Sequence, residues 1–178
     1  MQQRAIPAAV LLPAAACVVS AHGPSRQQVV EEIAINAPVD KVWTVIAEFC
    51  SIAAWNPEIT GCEAPAGNAL DTMRTVTLKN GEQLQEKLVG HEAETMTLQV
   101  MLEQPNPAAI PVNTLGSKLT VMTADSGGSV LEWKAAFYRS FPGPTPPPEL
   151  SDEAAIAAVK KIVQAGLAGA KTLAERCG

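Results

Sequence analysis

The chain has 178 residues, of which 47% are hydrophobic and 17% are charged, and its formal net charge is −5. This length suggests one domain with a full hydrophobic core, and the apolar content excludes a disordered chain. The acidic balance and the lack of a Lys/Arg cluster exclude a nucleic-acid-binding surface, and away from the N-terminus no uncharged apolar run is long enough to span a bilayer.

The first residues predict an export signal. Arg4 gives a positive start, residues 5–19 form a short apolar stretch, and residues 19–21 provide the small side chains that signal peptidase requires. We therefore expect a signal peptide over residues 1–21, cleaved after Ala21, and a periplasmic or secreted mature protein. An uncleaved anchor or a disordered tail is the alternative, although the stretch is short for a membrane span and contains prolines.

The expected mature chain has a short linker over residues 22–28 and one domain over residues 29–178. Lipidation at Cys17 is not expected, because Ala14 stands where a lipoprotein signal has Leu. No stable membrane span would remain after cleavage.

Export would leave three cysteines in an oxidising compartment. Cys50 and Cys62 are the expected disulfide pair because a short loop separates them, and Cys177 would be left over or pair with another chain. Two free buried thiols at positions 50 and 62 are the alternative. Without a CxxC spacing we expect no metal site, and nothing else in the sequence implies a cofactor.

The domain is expected to begin with a strand near residues 29–36, where Ile33 and Ile35 alternate with other residues. Pro38 suits the first position of a short helix, and a second helical turn near residues 51–55 precedes Pro57. Beyond these helices the hydrophobic period changes to two, which predicts strands near residues 72–78, 82–90, 94–102, 115–123 and 129–139. Short turns favour antiparallel hairpins, including a turn around residues 91–93, whereas the link over residues 103–114 is longer and rich in proline.

The last predicted element is a long amphipathic helix that begins after the N-cap residue Ser151. Gly166 and Gly169 each cost about 1 kcal/mol relative to Ala in such a helix. Either close approach of a strand or space for a bound molecule should explain them. This order of elements predicts an α+β domain with a curved antiparallel sheet packed on its terminal helix.

The hairpin around residues 79–81 allows two registers. A three-residue loop with its glycine in the left-handed conformation pairs Val76 with Leu84 and keeps the apolar residues on one face, so we expect this register. It also sets Arg74 opposite Glu86 on that apolar face. A buried ion pair stabilises a fold poorly, so the pair is expected either to orient a polar ligand group in a wet cavity or to reach solvent at a sheet edge.

Several segments together resemble the polyketide cyclase/dehydrase-like proteins of the START/Bet v 1-type (SRPBCC) superfamily. The resemblance spans residues 29–175 and depends on the order and spacing of residues 37–43, 49–57, 74–78, 80–81, 86–88 and 130–133 and of the closing helix. It implies the helix-grip fold, in which a curved seven-stranded antiparallel sheet surrounds the long C-terminal helix, two short helices follow strand 1, and a hydrophobic cavity is enclosed. Members bind lipids, hormones or polyketides, and some are enzymes.

Two groups of relatives refine this expectation. Plant abscisic-acid receptors have a similar hairpin whose glutamate, which would correspond to Glu86, reaches the ligand through water. This chain has Leu-Lys-Asn-Gly at residues 78–81 instead of the receptors' Ser-Gly-Leu-Pro gate, so a hormone-gated role is not expected. Exported bacterial relatives include periplasmic accessory proteins of methanol oxidation, which fits the predicted leader.

Residues of mixed chemistry are expected to form the ligand site. The predicted lining is mainly apolar and has a few polar contacts. Each of its residues is equally compatible with ordinary core packing. The predicted residues are Trp55, Asn56, Arg74, Glu86, Leu98, Val100, Trp133 and Phe137. The loop over residues 103–114 would form the mouth.

Catalytic groups are scarce. His22 lies at the expected cleavage point, His91 falls in a predicted turn, and neither GxSxG nor HExxH occurs. We therefore expect an exported carrier or sensor of a small hydrophobic molecule. The alternatives are a cyclase or dehydratase in which Glu86 is the general base and Arg74 holds an enolate or carboxylate, and a non-catalytic accessory partner of a periplasmic enzyme.

Overall fold

The computed structural model describes residues 23–125 and 127–176. The predicted signal peptide with Cys17 and Ala21, together with His22 and Cys177, lies outside these residues. In the part that is described, no helix is both long and apolar enough to cross a membrane.

The described chain forms seven strands, three α-helices and one 3-10 turn. In chain order these are β1 (Gln27–Ile35), α1 (Val39–Ile46), α2 (Ile52–Trp55), β2 (Ile59–Glu63), β3 (Met73–Leu78), β4 (Gln83–Glu92), β5 (Thr97–Gln104), β6 (Val112–Thr123), β7 (Ser129–Arg139), the 3-10 turn (Pro148–Leu150) and α3 (Asp152–Arg176). The predicted α+β class and the two short helices after the first strand are confirmed.

The strands form one antiparallel sheet in the order β1-β7-β6-β5-β4-β3-β2. The helix α3 packs across β1 and β7, and α1 and α2 pack against it. The main hydrophobic core lies between the inner face of the sheet and these helices. This is the helix-grip arrangement that the family resemblance implies.

The residue pattern did not predict β2. Only Ile59 is buried among its five residues, so the strand lacks the apolar alternation that identifies a half-buried strand. Its pairing with β3 makes β2 the outer strand and places β3 inside the sheet. The predicted turn around residues 91–93 was also placed too early, because β4 continues to Glu92.

The predicted register of the β3–β4 hairpin is confirmed. Arg74 pairs with Glu86 and Val76 pairs with Leu84. The three-residue loop closes where the backbone N–H of Leu78 donates to the carbonyl of Glu82 at 2.8 Å, and Gly81 has φ +87°. A left-handed glycine at this position allows the hairpin to turn without strain.

The start of α3 is also as predicted, because the Ser151 hydroxyl accepts a hydrogen bond from the Ala154 backbone N–H at 3.2 Å. Close packing explains both glycines of this helix. A Cβ built on Gly166 would lie 2.7 Å from Cζ3 of Trp133, and one built on Gly169 would collide with the backbone carbonyl of Trp55. Close approach of Trp133 on β7 and of Trp55 at the end of α2 therefore accounts for the two glycines.

Replacing Gly169 by Ala is expected to lower the free energy of unfolding by about 1–3 kcal/mol, the usual range for overpacking. The loss should appear although Ala favours a helix by about 1 kcal/mol, because the Trp55 carbonyl is backbone and cannot rotate away. Urea unfolding measures the effect. The exposed neighbour Ala168, changed to Gly, calibrates helix propensity at this point of α3. A stabilised G169A variant would contradict the packing explanation.

Candidate ligand-binding cavity

A narrow cavity lies between the inner face of the sheet and α3, and its wall is mainly apolar. Six of the predicted site residues line it: Trp55, Arg74, Glu86, Leu98, Val100 and Trp133. Strand alternation directs the sheet members inwards, and Trp55 reaches the cavity from the end of α2.

The free volume of this cavity is about 40 Å³. That volume accommodates about three water molecules, whereas pockets for drug-sized ligands usually measure about 300–1,000 Å³. The interior therefore contains a cavity, but its volume is well below that of a typical ligand pocket. A ligand must be small, or the wall must move to admit it.

Two predicted site residues lie outside the lining. The Asn56 amide donates to the carbonyl of Ile162 at 3.2 Å and accepts from the Glu58 backbone N–H at 3.1 Å, so it joins α2 to α3. Phe137 is fully buried in the core beneath the cavity wall. Both residues support the site through packing and have no access to it.

Arg74 and Glu86 form a buried ion pair on the cavity wall. Arg74 Nη2 lies 2.6 Å and Nε 2.8 Å from Oε2 of Glu86, and the side chains are 4% and 12% exposed. These low exposures show that the pair does not reach solvent as a pair at an open sheet edge would. Both short contacts use Oε2, which leaves Oε1 as the oxygen that can accept from a ligand.

Phe49 completes the surroundings of the guanidinium. Its backbone carbonyl accepts a hydrogen bond from Nη1 of Arg74, and its ring centroid lies 4.4 Å from Arg74 Cζ. Arg74 is thus bound on two sides by the protein itself. The guanidinium therefore mainly binds other parts of the cavity wall, Glu86 and the Phe49 carbonyl.

Cys50, the neighbour of Phe49, forms a disulfide with Cys62 on β2. In this structure Cys50 and Cys62 are therefore bonded to each other and are not free thiols. The bond joins the segment after α1 to the outer strand of the sheet, and so it holds the Phe49 carbonyl near Arg74.

Two tryptophans meet in the cavity wall, with ring centroids 5.8 Å apart in an edge-to-face arrangement. The indole Nε1 of Trp55 donates to the Ser51 hydroxyl at 3.1 Å. Trp133 is only 5% exposed, and within the described residues its Nε1 has no hydrogen-bond partner. This buried N–H lacks the partner that such groups normally have.

A second pocket of about 170 Å³ lies outside the cavity and shares Leu78, Ile110 and Ile162 with its wall. The loop between β5 and β6 forms one side of it, within the segment predicted to be the mouth. This loop is fastened to the β3–β4 hairpin, since Asn106 Nδ2 donates to the Gln83 carbonyl at 2.9 Å. Three apolar side chains thus separate the inner cavity from the outer pocket.

The outer pocket carries three charged side chains of its own, Glu58, Lys79 and Lys161. Lys161 on α3 lies 2.7 Å from Glu58, and Lys79 of the hairpin lies 3.7 Å from the same carboxylate. The hydrogen bond from Lys161 holds the pKa of Glu58 below its usual range. These contacts join α3 to the β3–β4 hairpin across the outer pocket.

Sequence reasoning missed 16 of the 22 residues that line the cavity, among them Phe49, Ile110 and Ser117. Ser117 stands between Leu115 and Leu119, so strand alternation already indicated that it faces inwards. Ile110 gave no such signal because it lies in an irregular loop.

His91 has a structural role rather than that of a free turn residue. Its Nε2 lies 3.0 Å from the Ala47 carbonyl, and its ring packs 5.3 Å from that of Trp43. Within the described residues, no three His, Cys, Asp or Glu side chains cluster closely enough to hold a metal ion.

Comparison with known proteins gives one matching family model, described as polyketide cyclase / dehydrase and lipid transport, over residues 26–175. No curated protein matches the sequence.

Solved structures share the fold at low sequence identity. The protein XoxI from Bacillus cereus is 23% identical, with a TM-score of 0.66 over 83% of this chain and 94% of its own. A protein from Nitrosospira multiformis is 19% identical, with a TM-score of 0.65 over 82% of this chain and 94% of its own. Ara h 8.0201 is 18% identical, with a TM-score of 0.64 over 85% of this chain and 99% of its own.

Proposed function

Because the chain belongs to the polyketide cyclase/dehydrase and lipid transport family, we propose that it binds a small hydrophobic molecule in its interior as a carrier or sensor. The observation that carries this proposal is an apolar cavity whose wall contains one buried ion pair, Arg74–Glu86. Apolar walls with a few fixed polar groups are typical of small-molecule sites. The apolar wall supplies affinity, and Oε1 of Glu86 accepts a donor group of the ligand.

The ligand enters through the outer pocket. Leu78, Ile110 and Ile162 belong to both walls, so a change of their rotamers joins the two spaces. Ile110 lies on the loop between β5 and β6, and loops on a rigid scaffold move more readily than strands. Such a movement supplies the additional volume that the inner cavity lacks.

Ligand uptake by two leucine variants tests the location of the site. Ser117→Leu fills the cavity from its wall, whereas Lys118→Leu changes the exposed face of the same strand. We expect S117L to weaken binding of the fluorescent probe 1-anilino-8-naphthalenesulfonate at least about tenfold, and K118L to bind it like the parent protein. Native mass spectrometry should show a co-purified molecule in the parent protein that S117L lacks. If folded S117L takes up the probe as well as the parent does, the cavity is not the site.

The cyclase or dehydratase alternative makes a different prediction for Glu86→Gln. A general base is lost in this variant, so an enzyme would lose its turnover. A carrier keeps an oxygen acceptor at this position and would only bind its ligand more weakly. Binding is better supported, because Arg74 is already occupied by Glu86 and by the Phe49 carbonyl.

We further propose that the protein works in the periplasm or outside the cell, after loss of residues 1–21. The Cys50–Cys62 disulfide supports an oxidising compartment, and the N-terminal sequence has the features of a leader. N-terminal sequencing of the exported protein should begin at His22. Recovery of the full-length chain from the cytoplasm would contradict this proposal.

A second candidate function, that of an accessory partner of a periplasmic enzyme, is favoured by one observation. Met73 and Met101 flank Lys87 on the outer face of the sheet, and both methionines are exposed. Exposed apolar groups on a sheet face are typical of protein contacts. Under this function, pull-down would recover one enzyme, Met101→Glu would abolish its recovery, and no small molecule would co-purify.

A further inference from the structure

We infer that the ligand carries a hydrogen-bond acceptor, such as a ketone or ester carbonyl, which binds the indole N–H of Trp133. This inference rests on the proposed function, because it specifies the ligand of the same cavity. It is based on the observation that Nε1 of Trp133 is buried and has no hydrogen-bond partner within the described residues.

A buried N–H without an acceptor is unfavourable, so a ligand that supplies the acceptor binds more tightly than one of the same shape that does not. Trp133 lines the cavity, and the six-membered ring of its indole packs on α3 at Gly166. The Nε1 atom belongs to the other ring of the indole. The ring that packs on the helix is thus not the ring that carries Nε1, which has no hydrogen-bond partner among the described residues.

The neighbouring tryptophan shows that this is not a general property of the wall. Trp55 lines the same cavity, yet its N–H is occupied by the Ser51 hydroxyl. Only Trp133 of these two can donate to a ligand without losing a protein hydrogen bond. A hydrocarbon in the cavity would leave this donor unpaired, whereas a carbonyl compound of the same shape would not.

The strand register places a second donor near Trp133. Ser117 on β6 lies opposite Ala135, which is two residues from Trp133 on the same face of β7, and both Ser117 and Trp133 line the cavity. Diagonal neighbours of this kind are close enough for side chains to act together. Across the wall, Glu86 offers an acceptor instead. The cavity thus recognises an apolar molecule whose carbonyl lies at the β6–β7 side.

Two probes of nearly equal shape test the inference, cyclohexanone and methylenecyclohexane, in which a CH₂ group replaces the carbonyl oxygen. Each probe has seven heavy atoms and is larger than the three water molecules that the cavity admits, so it binds only when the wall moves, as the proposed function requires. In ¹⁵N–¹H spectra, cyclohexanone should move the Trp133 indole proton downfield and methylenecyclohexane should not. The parent protein should prefer the ketone about three- to tenfold, as expected for one hydrogen bond.

Trp133→Phe should remove this preference while both probes still bind. Trp43→Phe, which removes an indole that does not line the cavity, is the matched control and should keep the preference. If both probes bind with equal affinity and the Trp133 signal is the same with each, the inference is wrong and the proposed carrier function stands. If neither probe binds, and no small molecule co-purifies, the proposed function fails as well.

Discussion

Replacing Arg74 by Met should lower the free energy of unfolding by about 3–5 kcal/mol, the usual cost of removing one partner of a buried ion pair. The variant leaves the Glu86 carboxylate, which is only 12% exposed, without its counterion. It also removes the donor to the Phe49 carbonyl. Urea unfolding followed by circular dichroism measures the loss.

A second ion pair of the same strand is the matched control. Lys87 lies 3.2 Å from Glu103, but these side chains are 31% and 41% exposed. Because exposed pairs contribute about 0–1 kcal/mol, Lys87→Met should have a small effect. Equal losses in R74M and K87M would show that burial of the Arg74–Glu86 pair is not what makes it important.

The double variant R74M/E86L separates stability from function. Apolar residues in place of a buried pair are often neutral or stabilising, so we expect this variant to regain most of the stability that R74M loses. If it folds well but no longer distinguishes ligands that carry a donor group, the pair is present for recognition. Unchanged ligand preference in a stable double variant would contradict a recognition role for Glu86.

Removing the disulfide should have the second largest effect. Cys50 and Cys62 are separated by 12 residues, and closing a loop of this size reduces the entropy of the unfolded chain by an amount worth about 3 kcal/mol. We expect the double variant C50S/C62S to have a free energy of unfolding lower by about 3 kcal/mol and therefore to unfold at a lower urea concentration. Phe49, which is next to Cys50, should then hold Arg74 less firmly.

Dithiothreitol provides the control for this experiment. The reductant should lower the unfolding midpoint of the parent protein to that of C50S/C62S and should leave the double variant unchanged. If the oxidised parent and the double variant unfold at the same midpoint, the disulfide does not stabilise this fold.

The role of Asn56 could not be predicted from the sequence. A polar side chain beside Trp55 was a reasonable ligand contact, but its amide binds the carbonyl of Ile162, a residue 106 positions away. No local pattern indicates which of two such roles a buried amide has. The same holds for Trp133, whose free N–H is recognisable only when every surrounding acceptor is located.

The outer strand β2 was missed for a related reason. Its five residues form a strand because β3 offers an unpaired edge, and not because of their own hydrophobic pattern. The seven-stranded sheet followed from the family resemblance, whereas periodicity indicated six of its strands. The missed strand pairs with β3 from Leu78 to Thr75 and ends one residue short of Arg74.

The amino-acid sequence alone determined the order of the helices and of every strand except β2, the hairpin register that sets Arg74 opposite Glu86, and the start of α3 after Ser151. Each of these depends on turn chemistry, alternation or capping, which act over a few neighbouring residues. Only the tertiary structure decided the burial of that pair, the reason for Gly166 and Gly169, and the narrowness of the cavity. These properties depend on how closely segments distant in the chain approach one another, and packing of the whole domain sets that distance.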